Sequence, residues 1–246
     1  MLILERSDVT IVVIHVPKTA GTTLRHLLIN SLRRNNRRMI VNHVERPVTD
    51  LVRGQVYSYW HIYKEVDLAH IPVRNINDYY PINHKKPIRY ITLVRSPYSR
   101  IYSAYAWYKR ERREETNIDG FNKFVVERLP KIVANYYQNY IRGEMPTAEY
   151  IHFIPMWMML VDKIGELQFD YLLRQESFNN DVKSLMEDLN FPLSPFLLNG
   201  NYRQHATDSN STNDSHLDKY TFESMRIIEL LYRRDFILFG YKFLLN

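Results

Sequence analysis

Apolar positions in this chain fall into two kinds of run. Residues 10–16, Thr-Ile-Val-Val-Ile-His-Val, are β-branched and lack polar alternation, the pattern of a strand buried on both faces of a parallel sheet. A short loop follows, and then Leu24, Leu27, Leu28 and Leu32 recur at helical spacing, with Thr22 or Thr23 as the capping residue. Residues 55–62 and 88–94 read as further strands, and the second leads into a helical stretch from Pro97 to about residue 113, proline being at home in a first helical turn. Residues 169–173 form a fourth strand ahead of a helical pattern over 178–189. Residues 121–141 read as helix, 202–218 as a polar loop rich in Asn, Ser, Thr and Asp, and 219–232 as a terminal helix.

Strands alternating with helices predict an α/β fold, with a central parallel sheet, helices on both faces, and ligands at the carboxyl ends of the strands. Neither an internal repeat nor a linker-like tract divides the 246 residues, so the expectation is a single domain over 1–246. A chain of this size buries roughly 70–75% of its unfolded surface, enough for an independent core.

Composition narrows the chemistry. With 45% hydrophobic and 24% charged residues the chain is ordinary globular protein. A net charge of +6 calls for an anionic partner without saying whether it is a nucleotide, a nucleic acid, a glycan or a membrane surface. The absence of cysteine excludes disulfides, a thiolate nucleophile and Cys-ligated zinc. The apolar run at 10–16 is far short of the roughly 20 residues that span a bilayer. The chain is therefore read as cytoplasmic, without a signal peptide or transmembrane segment.

The first strand ends in His15-Val16-Pro17-Lys18-Thr19-Ala20-Gly21-Thr22-Thr23. Backbone N–H groups, hydroxyls, the Lys18 ammonium and a helix N-terminus then converge on one point, which makes an anion site, and Gly21 allows close approach. A Walker A loop has glycine before its lysine, whereas Lys18 lies three residues before Gly21. Thr19 beside Lys18 is out of the magnesium-binding register, so a metal-free transfer fits better than a kinase. Spacing alone leaves open a plain strand-to-helix turn with a surface lysine.

These residues resemble the 5′-phosphosulfate loop of carbohydrate sulfotransferases related to the heparan sulfate 2-O and 6-O enzymes. The family's second element, a strand ending in Arg-Asp-Pro with a serine eight residues after the arginine, resembles Leu93-Val94-Arg95-Ser96-Pro97 with Arg100, Ser103 and Tyr105; Ser96 stands where the family has Asp. Residues 169–189 and 232–243 are similar too, so the likeness covers nearly the whole chain. It implies a P-loop-like domain that takes 3′-phosphoadenosine 5′-phosphosulfate (PAPS) as donor and releases 3′-phosphoadenosine 5′-phosphate (PAP). The sulfuryl group would move in line to an acceptor hydroxyl, that of a carbohydrate, with no metal and no nucleic acid involved.

On that resemblance Pro17, Lys18, Thr19, Ala20, Gly21, Thr22 and Thr23 hold the 5′ end of the donor, with Lys18 stabilising the oxygen between sulfur and phosphorus. Arg95 and Ser103 hold the 3′-phosphate, a task for which a guanidinium fork suits better than an ammonium. The family's base is a histidine after the second strand, where this chain has Tyr59-Trp60-His61, with Trp in place of Gly. His61 is the first choice and its ordinary pKa suits the task; His43 and His70 are the other candidates, and His15 is expected to pack or to orient the loop. Arg174, Glu176 and Arg203 are either near the ligands or plain surface charges. The basic clusters at 33–38 and 109–113 read as solvated helix faces, while Trp107, Trp157, Tyr136, Tyr137 and Tyr140 favour core packing over sugar stacking. Two other readings stand beside the transferase: a magnesium-dependent nucleotide kinase, and a non-catalytic basic module for glycan or nucleic acid. Lys18 together with Arg95 and Ser103 argues against the second, since charge binding alone needs no such constellation.

Overall fold

The computed structural model describes residues 1–35, 40–80, 82, 86–191 and 216–245. Its elements gather into two compact groups, residues 1–94 with 159–205 and residues 95–158 with 206–246. The side chains of Arg33 and Arg34, all of Arg37, Arg38 and Arg203, and the expected polar loop up to residue 215 lie outside the described residues.

The first group is a six-stranded sheet. β1 (Leu2–Glu5) and β2 (Thr10–Ile14) form a hairpin, closed by a bond from Arg6 N to Val9 O (3.1 Å). α1 (Gly21–Asn35) follows, then β3 (Ile40–Val44), β4 (Gln55–Tyr59) and a small two-stranded ribbon, β5 (Ile62–Tyr63) and β6 (Val66–Asp67). Beyond the one-turn helix α2 (Ile76–Tyr79) lies β7 (Ile88–Val94). The order across the sheet is β3-β4-β1-β2-β7-β8, β8 being Tyr171–Arg174. Five strands run the same way; β1 alone opposes them, pairing antiparallel with β2 and with β4. The expected central parallel sheet is thus present, with one antiparallel strand inserted in it. The reason is geometric: a parallel pair needs a crossover of a dozen or more residues, and the connection from β1 to β2 has room only for a turn.

Leu2, Leu4, Ile11, Val13, Val56, Ile91, Leu93 and Leu173 on one face of the sheet pack with Leu24, Leu27, Leu28 and Leu32 of α1 and with Val182, Leu185 and Met186 of the later helix over Phe178–Asp188. The alternate residues Ile3, Val12 and Ile14 are equally buried, as the unbroken apolar run of β2 requires. At the end of β1 remote from the loop after β2, buried Glu5 accepts from Thr10 Oγ1 (2.9 Å) and pairs with Lys86 (3.0 Å).

The second group is helical. α3 (Pro97–Glu111) is followed by α4 (Ile118–Glu127) and α5 (Leu129–Arg142). The single helix expected over 121–141 is therefore two, because Pro130 lacks the amide that would bond back to residue 126 and its ring displaces that carbonyl. α6 (Met156–Leu160) leads the chain back to β8, after which comes α7 (Phe178–Asp188). The terminal helix is also double, α8 (Phe222–Leu231) and α9 (Arg233–Phe239). Tyr98, Ile101, Phe121, Phe124, Val133 and Phe236 are among the residues of this group's core. Of the aromatic residues expected in the core, Tyr136 and Trp157 are buried, while Trp107, Tyr137 and Tyr140 are half-buried. Among the described residues no helix is long and apolar enough to cross a membrane.

Candidate functional site

β2 delivers the chain to residues 15–20 at its carboxyl end. Lys18 (φ 66°) and Ala20 (φ 74°) are both left-handed, with Thr19 between them. Alternating handedness turns successive amides toward one side, forming a concave nest for an anion, and the N-terminus of α1 begins at Gly21. Its first turn has no acidic residue to oppose an anion there. Thr22 and Thr23 lie inside that helix rather than capping it, which corrects the expected start by one or two residues. Thr19 is fully buried and its hydroxyl donates to Val16 O (2.8 Å), tying the loop across its base.

Gly21 is explained by a neighbour. A Cβ there would lie 2.1 Å from His15 Cδ2 and 2.6 Å from its Nε2. The buried His15 ring fills the place of that side chain and is itself stacked against Trp60 (centroids 5.4 Å apart) and tilted against His70 (4.4 Å). His15 therefore takes the loop-orienting role expected of it.

The three candidate bases occupy different surroundings. His43 is exposed on β3. His61, directly after Trp60 beyond β4, is 48% exposed, with Nε2 3.8 Å from Oε1 of the exposed Glu45. His70 is buried in the short helical turn Leu68–His70, which Asp67 caps by accepting from Ala69 N (2.9 Å). Its Nδ1–H donates to the His15 carbonyl (2.8 Å), which fixes the tautomer because a carbonyl only accepts. Burial holds His70 below the usual histidine pKa; the nearby Met1 amine and Lys18 ammonium add to this, and Asp67 and the His15 carbonyl oppose it. His70 is thereby a neutral strut at the start of the loop. Arg174 and Glu176, at and just beyond the end of β8, are half-buried, and Asp181 accepts from Arg174 N (2.7 Å).

In the second group Arg95 precedes α3 by two residues and Ser103 lies within that helix. Arg95 Nε donates to Ser99 Oγ (2.9 Å), and Ser99 in turn donates to Ser96 O (3.3 Å). Ser99 and Ser103 lie four apart on α3, the spacing that stacks side chains on one helix face, and Arg95, two residues before the helix, reaches the first of them. Ser99 is the residue sequence reasoning missed; the same spacing would have found it. Arg100 is a different case. It is fully buried, donates to Ile154 O (2.6 Å) and His152 O (3.3 Å), and lies over the Tyr232 ring, so its role is to hold this helical group together. Of the basic cluster at 109–113, Lys109 pairs with Glu114 and Arg112 lies over the Tyr108 ring (3.7 Å).

Comparison with known proteins supplies one match. No curated protein and no solved structure matches the chain. A family model described as the sulfotransferase family matches residues 2–242, from β1 to the segment beyond α9. With that span matched, and with a strand-loop-helix site of the kind its residues resemble, the chain belongs to the sulfotransferase family.

Proposed function

We propose that this protein transfers the sulfuryl group of PAPS to a hydroxyl of a carbohydrate acceptor. The observation that carries the reading is the loop itself: Lys18 and Ala20 are both left-handed and stand immediately before the N-terminus of α1. Such an arrangement suits a doubly charged phosphosulfate. In the transfer the bond from sulfur to the bridging oxygen breaks, a bond from sulfur to the acceptor oxygen forms, and the hydroxyl proton passes to a base. Lys18 would meet the charge that grows on the bridging oxygen, an effect of about 3 kcal/mol by analogy with lost oxyanion donors.

His61 is the proposed base. It is accessible, with Nε2 3.8 Å from Glu45, whereas His70 is buried with Nδ1 committed to the His15 carbonyl. Arg95 and Ser103 are proposed for the 3′-phosphate on the resemblance, and the bond from Arg95 Nε to Ser99 Oγ supports it by holding the guanidinium beside α3.

Calorimetric titration with PAP in the presence of a chelator tests the donor. Tight binding is expected, weakened at least tenfold in Arg95→Ala and in Lys18→Ala. Binding of ATP with magnesium in place of PAP would overturn the reading in favour of a kinase. His61→Ala should leave PAP affinity within twofold while lowering turnover on a saccharide acceptor by roughly a hundredfold or more.

A further inference from the structure

One turn along α1 from Gly21, about 6 Å of axial rise, stands Arg25, a half-buried cation. Its Nε donates to Ser58 Oγ (2.6 Å), and Ser58 is a buried residue of β4. Its guanidinium carbon lies 5.0 Å from the centroid of Trp60, whose ring also stacks on His15. Among the described residues no carboxylate lies within ion-pair distance of Arg25. Burial pulls its pKa below the ordinary arginine value, and no neighbouring acid offsets that.

A guanidinium has five N–H donors in a rigid fork. Ser58 takes the one on Nε, and the other four are on the two terminal nitrogens. Removing a cation from water without a counter-charge is unfavourable, and a packing role alone would be met by an apolar side chain of similar size. Ser58 and Trp60 hold the side chain in one orientation, so little of its freedom remains to be lost on binding a ligand. Trp60 is 43% exposed and leads directly to His61, so the fork belongs to the loop end of the sheet, beside the proposed base.

We propose that Arg25 is an oxyanion subsite beside the phosphosulfate loop, positioned by Ser58 and Trp60 to take a sulfate-like or carboxylate group through its terminal nitrogens. The oxyanion comes either from the donor's transferable sulfuryl group or from an acidic group on the acceptor. The subsite rests on the donor reading above for its place in the reaction, not for its existence.

The test compares the wild-type chain with Arg25→Gln and Arg25→Lys by calorimetry, using PAP, PAPS and inorganic sulfate as probes. If the oxyanion is the donor's, PAPS binds wild type more tightly than PAP, and Arg25→Gln removes at least tenfold of that preference while PAP itself is unchanged. If it is the acceptor's, PAPS and PAP are unaffected, but inorganic sulfate that binds the wild-type PAP complex binds the Arg25→Gln complex at least tenfold more weakly. Arg25→Lys, which keeps the charge without the fork, recovers only part of either loss. Unchanged PAPS, PAP and sulfate binding in Arg25→Gln overturns the proposal. So does loss of PAP binding in both variants with a lowered melting temperature, since Arg25 would then be a structural strut. If wild type binds neither nucleotide, the donor reading fails. The subsite is then judged by sulfate alone, and it survives only if Arg25→Gln loses a sulfate site that wild type has.

Discussion

Gly21 owes its place to a histidine ring rather than to a turn. The ring of His15 sits where a Cβ would go, at 2.1 Å, and Trp60 and His70 confine it from other sides. Overpacking in a confined site costs about 1–3 kcal/mol. Gly21→Ala should therefore lower the melting temperature and weaken PAP binding by displacing the loop, and adding His15→Ala should restore part of both, the non-additivity expected of touching residues. If the double variant is as damaged as the sum of the two singles, His15 is not what Gly21 accommodates. At this scale the sequence is legible where a residue's role is spent locally: the loop from Pro17 to Ala20 falls between strand and helix as its residues predict. It is silent where a role depends on a distant partner. Nothing in the spacing says that His70 would tie down the carbonyl of His15, or that Thr19 would turn its hydroxyl back to Val16.

Among the elements, the ribbon of β5 and β6 has the most unusual backbone. Its two-residue turn uses Lys64 (φ 47°) and Glu65 (φ 67°), both left-handed, where Asn-Gly is the sequence that fits such a turn without strain. Each non-glycine residue held there costs about 1 kcal/mol or more. Replacing Lys64→Asn with Glu65→Gly should raise thermal stability by about 1 kcal/mol, read from the melting curve; an unchanged or lowered melting point would mean that side-chain contacts outweigh the strain. The elements that sequence periodicity located well are those with a strong signature, such as β7, whose bounds match the expected 88–94, and α7. Those it missed lack one. β1 is buried throughout but only four residues long and ends in a charged residue, Glu5, while β3 is an edge strand with Ile40 more than half exposed, so neither carries the long β-branched apolar run that marks β2.

For the molecule as a whole, acid stability depends on groups buried away from the proposed chemistry. Asp235 accepts from Met156 N and Trp157 N (both 2.9 Å), capping α6 from within the helical group. Burial raises its pKa from 3.8 to about 6, against the pull of Arg100 and the two amides. Because the folded state holds this proton more tightly than the unfolded chain, its contribution to stability is complete below about pH 4 and is lost as pH rises through 6, a gap worth up to about 3 kcal/mol. The melting-temperature advantage of wild type over Asp235→Asn, which does not titrate, should shrink between pH 4 and 7; an advantage that grows over that range would contradict this. His70, held below its usual pKa, acts in the opposite direction, favouring the folded state as pH rises.

The reversed strand at the centre of the sheet also bears on how the chain assembles. β1 meets β2 across a tight turn, while β1 with β4 and β2 with β7 must close loops of more than 50 and more than 70 residues. Closing entropy rises with loop length and must be met before the contacts form, so the hairpin is the piece that can nucleate on its own. Later strands then add to its two edges. The strand that leads into the loop of Lys18 is thus expected to pair before most of the protein exists as structure, so that the loop hangs from an early part of the folding path rather than from its last.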